Sequence, residues 1–273
     1  MIESTGNVEE PDVFAWEANG MNVIRGVLLD LSGVLYVGGT PLPGALDAVA
    51  RLQGSAMPVR YITNTTRSPR AAIHRMLTAM GFTIPEDEIF TAPGAVRAAL
   101  KRDGLTPLLL IHPDLEPEFA DFSGDVPDAV VLGDAGDSFT YKNLNRAFRL
   151  LMDGAPLLAM GNNRYFREAD GLSLDIGPFL KALEYAADVQ GTVLGKPSSG
   201  FFHGAVSDMG LEPHQVLMVG DDVEADVQGA LDAGLQACLV RTGKYRPGDE
   251  GRIEAGRSRV ADDLSAVVDG LAV

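Results

Sequence analysis

The sequence predicts an α/β protein with a Rossmann-like parallel sheet, and three observations carry that prediction. Apolar runs of strand length recur at 27–30, 59–63, 108–112, 129–133, 157–159, 193–194, 216–220 and 236–240, and strands covered on both faces read as such uninterrupted runs. Between them lie stretches with apolar residues at helical spacing, and strands alternating with helices point to a parallel sheet. Two runs end in acids, at Asp30 and at Asp221 with Asp222. Open α/β sheets hold their ligands at such carboxyl ends.

Taken in order, residues 1–24 read as an acidic tail, with Glu9, Glu10 and Asp12, leading into the first strand. Ser68 followed by Pro69 predicts an N-cap and first-turn pair for a helix that runs to Met80, with Gly81 past its end. Helical spacing predicts two more helices over 141–152 and 177–187. The residues suited to chemistry fall before Ser68 and after Thr192, so the stretch between them reads as an inserted module. The expected division is a core from 25–80 and 193–273, interrupted by a cap over 81–192.

The 273 residues are 46% hydrophobic and 22% charged, as in ordinary globular proteins. Asp and Glu outnumber Lys and Arg by 38 to 22, a net charge of -16 that repels nucleic acid and anionic membrane surfaces. No apolar run approaches the roughly 20 residues that span a bilayer. The acidic N-terminal stretch has neither the basic start nor the apolar core of a signal peptide. A cytoplasmic location with no nucleic-acid or membrane partner is therefore expected. Cys238 is the only cysteine, which rules out an intrachain disulfide and a cysteine-based metal site; its apolar setting predicts a small buried hydrophobe.

Four short segments each offer one part of a phosphoryl-transfer site. Asp30 can attack phosphorus as a nucleophile. Thr63, Asn64 and Thr65 end another apolar run and supply hydroxyl, amide and backbone donors for phosphate oxygens. Lys196, in Gly195-Lys196-Pro197, supplies a point charge. Asp221, with Asp222 and Asp226 nearby, can hold Mg²⁺, whose charge lets a carboxylate approach a phosphate dianion. Each segment alone reads more readily as a turn or a cap; all four in this order, three directly after strand-like runs, point to a site. In the insert, the polar cluster 162–165 can face substrate or simply solvent, and Asp134 and Asp175 can line the pocket or serve as plain surface or helix-capping residues. Four scattered histidines have no metal-ligand spacing.

The ordered set Asp30-Leu31-Ser32-Gly33-Val34-Leu35, Ile62-Thr63-Asn64, Gly195-Lys196-Pro197 and Gly220-Asp221-Asp222 with Asp226 resembles the haloacid dehalogenase superfamily of phosphohydrolases. The insert is similar to the C2-type α/β cap of its NagD-like branch. Longer segments, among them Gly133-Asp134-Ala135-Gly136 and Leu174-Asp175-Ile176-Gly177-Pro178-Phe179, resemble the group of that branch that hydrolyses pyrophosphate and phosphorus–nitrogen bonds. The resemblance implies Asp30 as nucleophile and Mg²⁺ ligand, with the Ser32 backbone carbonyl as a second ligand. It implies Thr63 and Lys196 on the phosphoryl group, Asp221 on Mg²⁺, and Asp222 or Asp226 supporting the ion. A small phosphorylated substrate and a homodimer formed through the cap are the partners it suggests.

Ser32 departs from the superfamily pattern, in which a second Asp serves as general acid and base. A hydroxyl with no accessible pKa near neutrality cannot take over that role. Two readings stay open: leaving groups that need little protonation, such as pyrophosphate, phosphohistidine or phospholysine, or a slow, degenerate enzyme. A phosphatase for small organic monoesters would share the same core site. A receiver-type phospho-acceptor module fits less well, because the paired acids follow Lys196 and a large insert separates it from Thr63.

Overall fold

The computed structural model describes residues 23–271 apart from 123, 125, 168–170 and 254–255; nearly all of the expected acidic tail thus lies outside the described residues. Six parallel strands form the larger sheet, in the order Ser258–Ala261, Gln236–Val240, Val216–Gly220, Gly26–Asp30, Val59–Thr63 and Ile89–Thr91. Every residue of Gly26–Asp30, Val216–Gly220 and Gln236–Val240 is buried, which is why they read as uninterrupted apolar runs. Their side chains still alternate between faces. Val27, Leu29, Leu217 and Val219 join one core cluster with the helices Ala45–Gly54, Arg70–Ala79 and Leu264–Gly270. Leu28, Ile62 and Met218 join another with Ala92–Asp103 and Ser199–Asp208.

A second, four-stranded parallel sheet runs in the order Thr192–Val193, Leu157–Ala159, Ala129–Leu132 and Pro107–Leu110. Tyr141–Met152 and Ile176–Ala187 pack beside it, with Phe179 stacked on Phe139 at 3.7 Å between ring centroids. Two short hairpins complete the strands: Tyr36–Val37 with Thr40–Pro41 just after Asp30, and Tyr165–Arg167 with Leu172–Leu174.

The sheets divide the chain differently from the expected 81–192 insert. Ile89–Thr91 is an edge of the six-stranded sheet, and Thr192–Val193 an edge of the four-stranded one. Strands of three and two residues are too short to show a period, so only their pairing reveals where they belong. The helix expected from Ser68 begins at Arg70, because Pro69 is extended (φ −65, ψ 152); Gly81 follows its end with φ 97. Asp175 is the N-cap of Ile176–Ala187, accepting the Ile176 N–H at 2.7 Å. Cys238 is fully buried, and burial pushes its thiol up to about 12. Among the described residues no helix is long and apolar enough to cross a membrane.

Candidate active site

The carboxyl ends of the two sheets meet. A Cβ on Gly195 would lie 2.2 Å from the Met160 carbonyl oxygen and 3.1 Å from Asn64 Oδ1, so the segments leaving the strands Thr192–Val193, Leu157–Ala159 and Val59–Thr63 abut there. Only a residue without a side chain fits that crossing.

Asp30 ends its strand 8% exposed, and Lys196, 4% exposed, reaches it with Nζ 2.5 Å from Oδ1. The same ammonium donates to Asp226 Oδ1 at 2.7 Å. Asn64 fixes the backbone that carries Lys196: its Oδ1 accepts the Lys196 N–H at 2.7 Å and its amide donates to the Lys196 carbonyl at 2.8 Å. Thr63 Oγ1 accepts the Thr65 N–H at 3.2 Å and lies 3.1 Å from the Thr65 hydroxyl, closing a small polar loop at the end of the strand paired with Gly26–Asp30. Ser32 is exposed on the turn after Asp30.

Asp30, Asp221 and Asp226 each bring a carboxylate oxygen to within 4.8 Å of the others. Asp222 is directed elsewhere: its Oδ1 accepts the Glu224 and Ala225 N–H groups at 3.1 and 3.0 Å, capping the π-helical turn Val223–Gln228. That turn brings Asp226 inward, to 1% exposure. Sequence spacing left the two acids equivalent, and the wide turn separates their roles.

Charge in this pocket is concentrated and buried. Burial raises the Asp30 pKa even though Lys196 pulls it down. Burial also carries Asp221 to about 6, against the Lys244 N–H and with the help of Asp226, and carries Asp226 to about 6 against Lys196. Burial alone would lower Lys196, yet the charges of Asp226 and Asp30 outweigh it and hold the ammonium above the ordinary lysine range. Among the described residues, Asp221 Oδ1 is buried with no hydrogen-bond partner. An orphaned carboxylate oxygen costs free energy unless something neutralises it. The donor set consists of hard, anionic oxygens, so these residues fit a small divalent cation such as Mg²⁺.

Sequence reasoning missed the segment after the strand Gln236–Val240. The Lys244 N–H donates to Asp221 Oδ2 at 2.7 Å, and Lys244 Nζ lies 3.1 Å from Asp222 Oδ2. Thr242 Oγ1 donates to the Gly33 carbonyl. The only available signal was position, directly after a strand next to the one carrying Asp221.

From the second sheet, buried Asp134 accepts from Arg67 Nε, and the Arg67 guanidinium lies 4.5 Å from the Phe166 ring centroid. Asp134 Oδ1 also accepts the Gly136 N–H at 3.1 Å. Burial raises the Asp175 pKa, with Asp134 adding to the rise and Arg67 opposing it. Both insert acids singled out by sequence therefore lie where the second sheet meets the Thr63–Arg67 loop.

Models of two families match this chain: haloacid dehalogenase-like hydrolase over 27–122 and HAD-hydrolase-like over 193–267. Phospholysine phosphohistidine inorganic pyrophosphate phosphatase of Danio rerio is 46% identical over 254 residues, 91% of this chain and 94% of that protein. The Homo sapiens protein of that name is 45% identical over 252 residues, covering 90% and 93%. Among solved structures, 4-nitrophenylphosphatase from Thermotoga maritima superposes with TM-score 0.81 at 27% identity, covering 91% of this chain and 97% of its own. Glycerol phosphate phosphatase from Mycobacterium tuberculosis, solved in complex with magnesium, gives TM-score 0.75 at 25% identity, covering 89% and 76%. With a strand-end Asp held by a buried Lys beside two further carboxylates, and relatives of this identity along nearly its whole length, the chain belongs to the haloacid dehalogenase-like hydrolases and is a phosphatase of the NagD-like kind.

Proposed function

We propose that the enzyme is a Mg²⁺-dependent phosphohydrolase that works through an aspartyl-phosphate on Asp30 and acts on pyrophosphate and on phosphorus–nitrogen bonds such as those of phosphohistidine and phospholysine. The observation that carries this reading is the Asp30 carboxylate, buried and gripped by Lys196 beside Asp221 and Asp226, in a chain 46% identical to a phosphatase named for those substrates.

An Asp30 oxygen attacks phosphorus as the bond from phosphorus to the leaving oxygen or nitrogen breaks; the leaving group departs with the electron pair, phosphate as its anion and the nitrogen, protonated from solvent beforehand, as neutral imidazole or amine. Water then attacks the phosphorus of the aspartyl-phosphate, releasing phosphate, returning the Asp30 carboxylate and giving its proton to solvent or product. Lys196 and the Thr63 and Thr65 hydroxyls hold the phosphoryl oxygens and stabilise the charge that develops on them, while Asn64 fixes the Lys196 backbone. Asp30, Asp221, Asp226 and the Ser32 carbonyl would hold Mg²⁺, which supplies positive charge against the phosphoryl group. Ser32 cannot protonate a leaving group, and general acid catalysis is typically worth about 10²- to 10⁴-fold. Phosphate and imidazole leave with little help, so Ser32 favours anhydride and phosphoramidate substrates over alkyl esters.

A second reading, small organic monoesters, is favoured by the names of the structural neighbours, 4-nitrophenylphosphatase and glycerol phosphate phosphatase. We assign the six-stranded unit to catalysis and the insert to a cap that excludes water and selects the leaving group, and further propose a cytoplasmic enzyme that forms a homodimer through that cap.

Phosphate release from pyrophosphate, phosphohistidine, phospholysine and a panel of sugar and nucleotide monoesters, with and without Mg²⁺, tests the proposal. Turnover confined to anhydride and phosphorus–nitrogen substrates, lost in Asp30→Asn, is expected. Broad monoester turnover would leave the nucleophile standing and sink the argument from Ser32. No release from any compound would overturn the proposed substrates and mechanism together.

A further inference from the structure

Oδ2 of Asp221 is enclosed from three sides. It accepts the Lys244 N–H at 2.7 Å. A Cβ on Gly33, whose φ is 93, would lie 2.0 Å from it, and so would a Cβ on Gly243, whose φ is 60. The Gly243 Cβ would also lie 2.5 Å from Gly33 Cα. These two glycines belong to different loops, one following the nucleophile Asp30 and the other following the strand Gln236–Val240, and they pack against each other across one carboxylate oxygen. The Thr242 hydroxyl adds a bond to the Gly33 carbonyl, and the Lys244 ammonium reaches Asp222 at 3.1 Å. On the other side of the same carboxylate, Oδ1 is buried without a partner among the described residues.

We propose that the turn Thr242-Gly243-Lys244 is a positioning element for the cation: by occupying Oδ2 from the backbone it aims Oδ1 of Asp221 at the ion, and by gripping Gly33 it sets the distance between that carboxylate and the nucleophile loop. The inference rests on reading the Asp30, Asp221 and Asp226 trio as a divalent-cation site. Groups that orient a metal ligand carry a large share of metal affinity although they never touch the ion. Here the orienting groups are a backbone N–H, two side-chain-free α-carbons and one hydroxyl. Gly243 is the sensitive point, since any side chain there displaces Asp221, Gly33 or both. The Lys244 side chain, by contrast, contributes only its bond to Asp222 and its charge, and the backbone N–H that does the positioning survives its replacement.

Mg²⁺ titration by calorimetry of the parent, Gly243→Ala, Thr242→Val and Lys244→Met tests this without any substrate, with circular dichroism reporting the fold of each metal-free variant. Gly243→Ala is expected to bind Mg²⁺ about 10- to 100-fold more weakly, the usual cost of losing a group that orients a ligand. Thr242→Val is expected to lose affinity by less, and Lys244→Met to bind at least as tightly as the parent, since it removes a competing cation. Parent-like affinity in both Gly243→Ala and Thr242→Val would overturn the inference while leaving the cation site intact. Should Gly243→Ala fail to fold, Thr242→Val decides alone. A parent that binds no Mg²⁺ would overturn the cation reading of the trio, and this inference with it.

Discussion

The six-stranded and the four-stranded sheet bring their carboxyl ends together, but the two ends differ in how their polar groups are committed. At the first, Asp30, Lys196, Asp221 and Asp226 are all at most 8% exposed; Lys196 pairs with both Asp30 and Asp226, and Asp221 is held by the Lys244 backbone N–H. At the second, two buried acids stand near Arg67, Asp134 accepting from it and Asp175 capping the helix Ile176–Ala187, and the neighbouring hairpin leaves Tyr165, Leu172 and Leu174 57% to 62% exposed. Preorganised charge in a dry site is what stabilises a phosphoryl transition state. Sparse contacts on an open surface are what a substrate can select among. On the proposed function, the first end performs the chemistry and the second chooses what undergoes it.

The comparison breaks most sharply at Asp30, the proposed nucleophile. Asp30→Asn is expected to lower phosphate release by about 10⁴-fold or more, the scale of losing a covalent nucleophile, with its thermal melt close to the parent's. An intact rate would mean that the first end is not the reacting one.

Lys196→Met comes next, because it strands Asp30 and Asp226 as buried, unpaired carboxylates. Breaking a buried pair typically costs about 3–5 kcal/mol, so a lower Tm is expected, partly restored by Mg²⁺. A Tm equal to the parent's would show that the pocket is wetter than its burial implies.

The pH dependence follows from Asp221 and Asp226, both near 6 in the fold against about 3.9 for an unperturbed Asp. Between those values the metal-free fold binds more protons than the unfolded chain, so these two groups make stability fall as pH rises through about 4 to 6. Mg²⁺ requires both carboxylates ionised. The rise in Tm that Mg²⁺ produces should therefore grow as pH increases through about 6; a pH-independent rise would place the ion elsewhere.

The smallest effects belong to the second end. Asp134→Asn releases Arg67 from its carboxylate partner and should change the ratio of kcat/KM between pyrophosphate and a monoester more than it changes Tm. Equal losses on all substrates would make Asp134 a general support for the Thr63–Arg67 loop rather than part of selection.

The central strands and the residues at their ends were legible in the sequence because burial on both faces demands unbroken apolar runs, and a polar residue ending such a run stands out. Asp30, Thr63 and Asp221 were found this way, and Lys196 through the Gly-Lys-Pro that follows a short run. The edge strands Ile89–Thr91 and Ser258–Ala261 were not legible, being short and only partly covered, and the bounds of the insert blurred with them.

By itself the sequence determined a parallel α/β sheet with acids at two strand ends, since those features follow from which residues must be hidden from water. The tertiary structure alone decided that Asp226 rather than Asp222 joins the buried trio, that Arg67 meets Asp134, and that Lys244 holds Asp221. A turn's winding, a contact across 67 residues and a backbone N–H aimed at a carboxylate leave no local mark in composition or periodicity, because they arise only when distant segments pack.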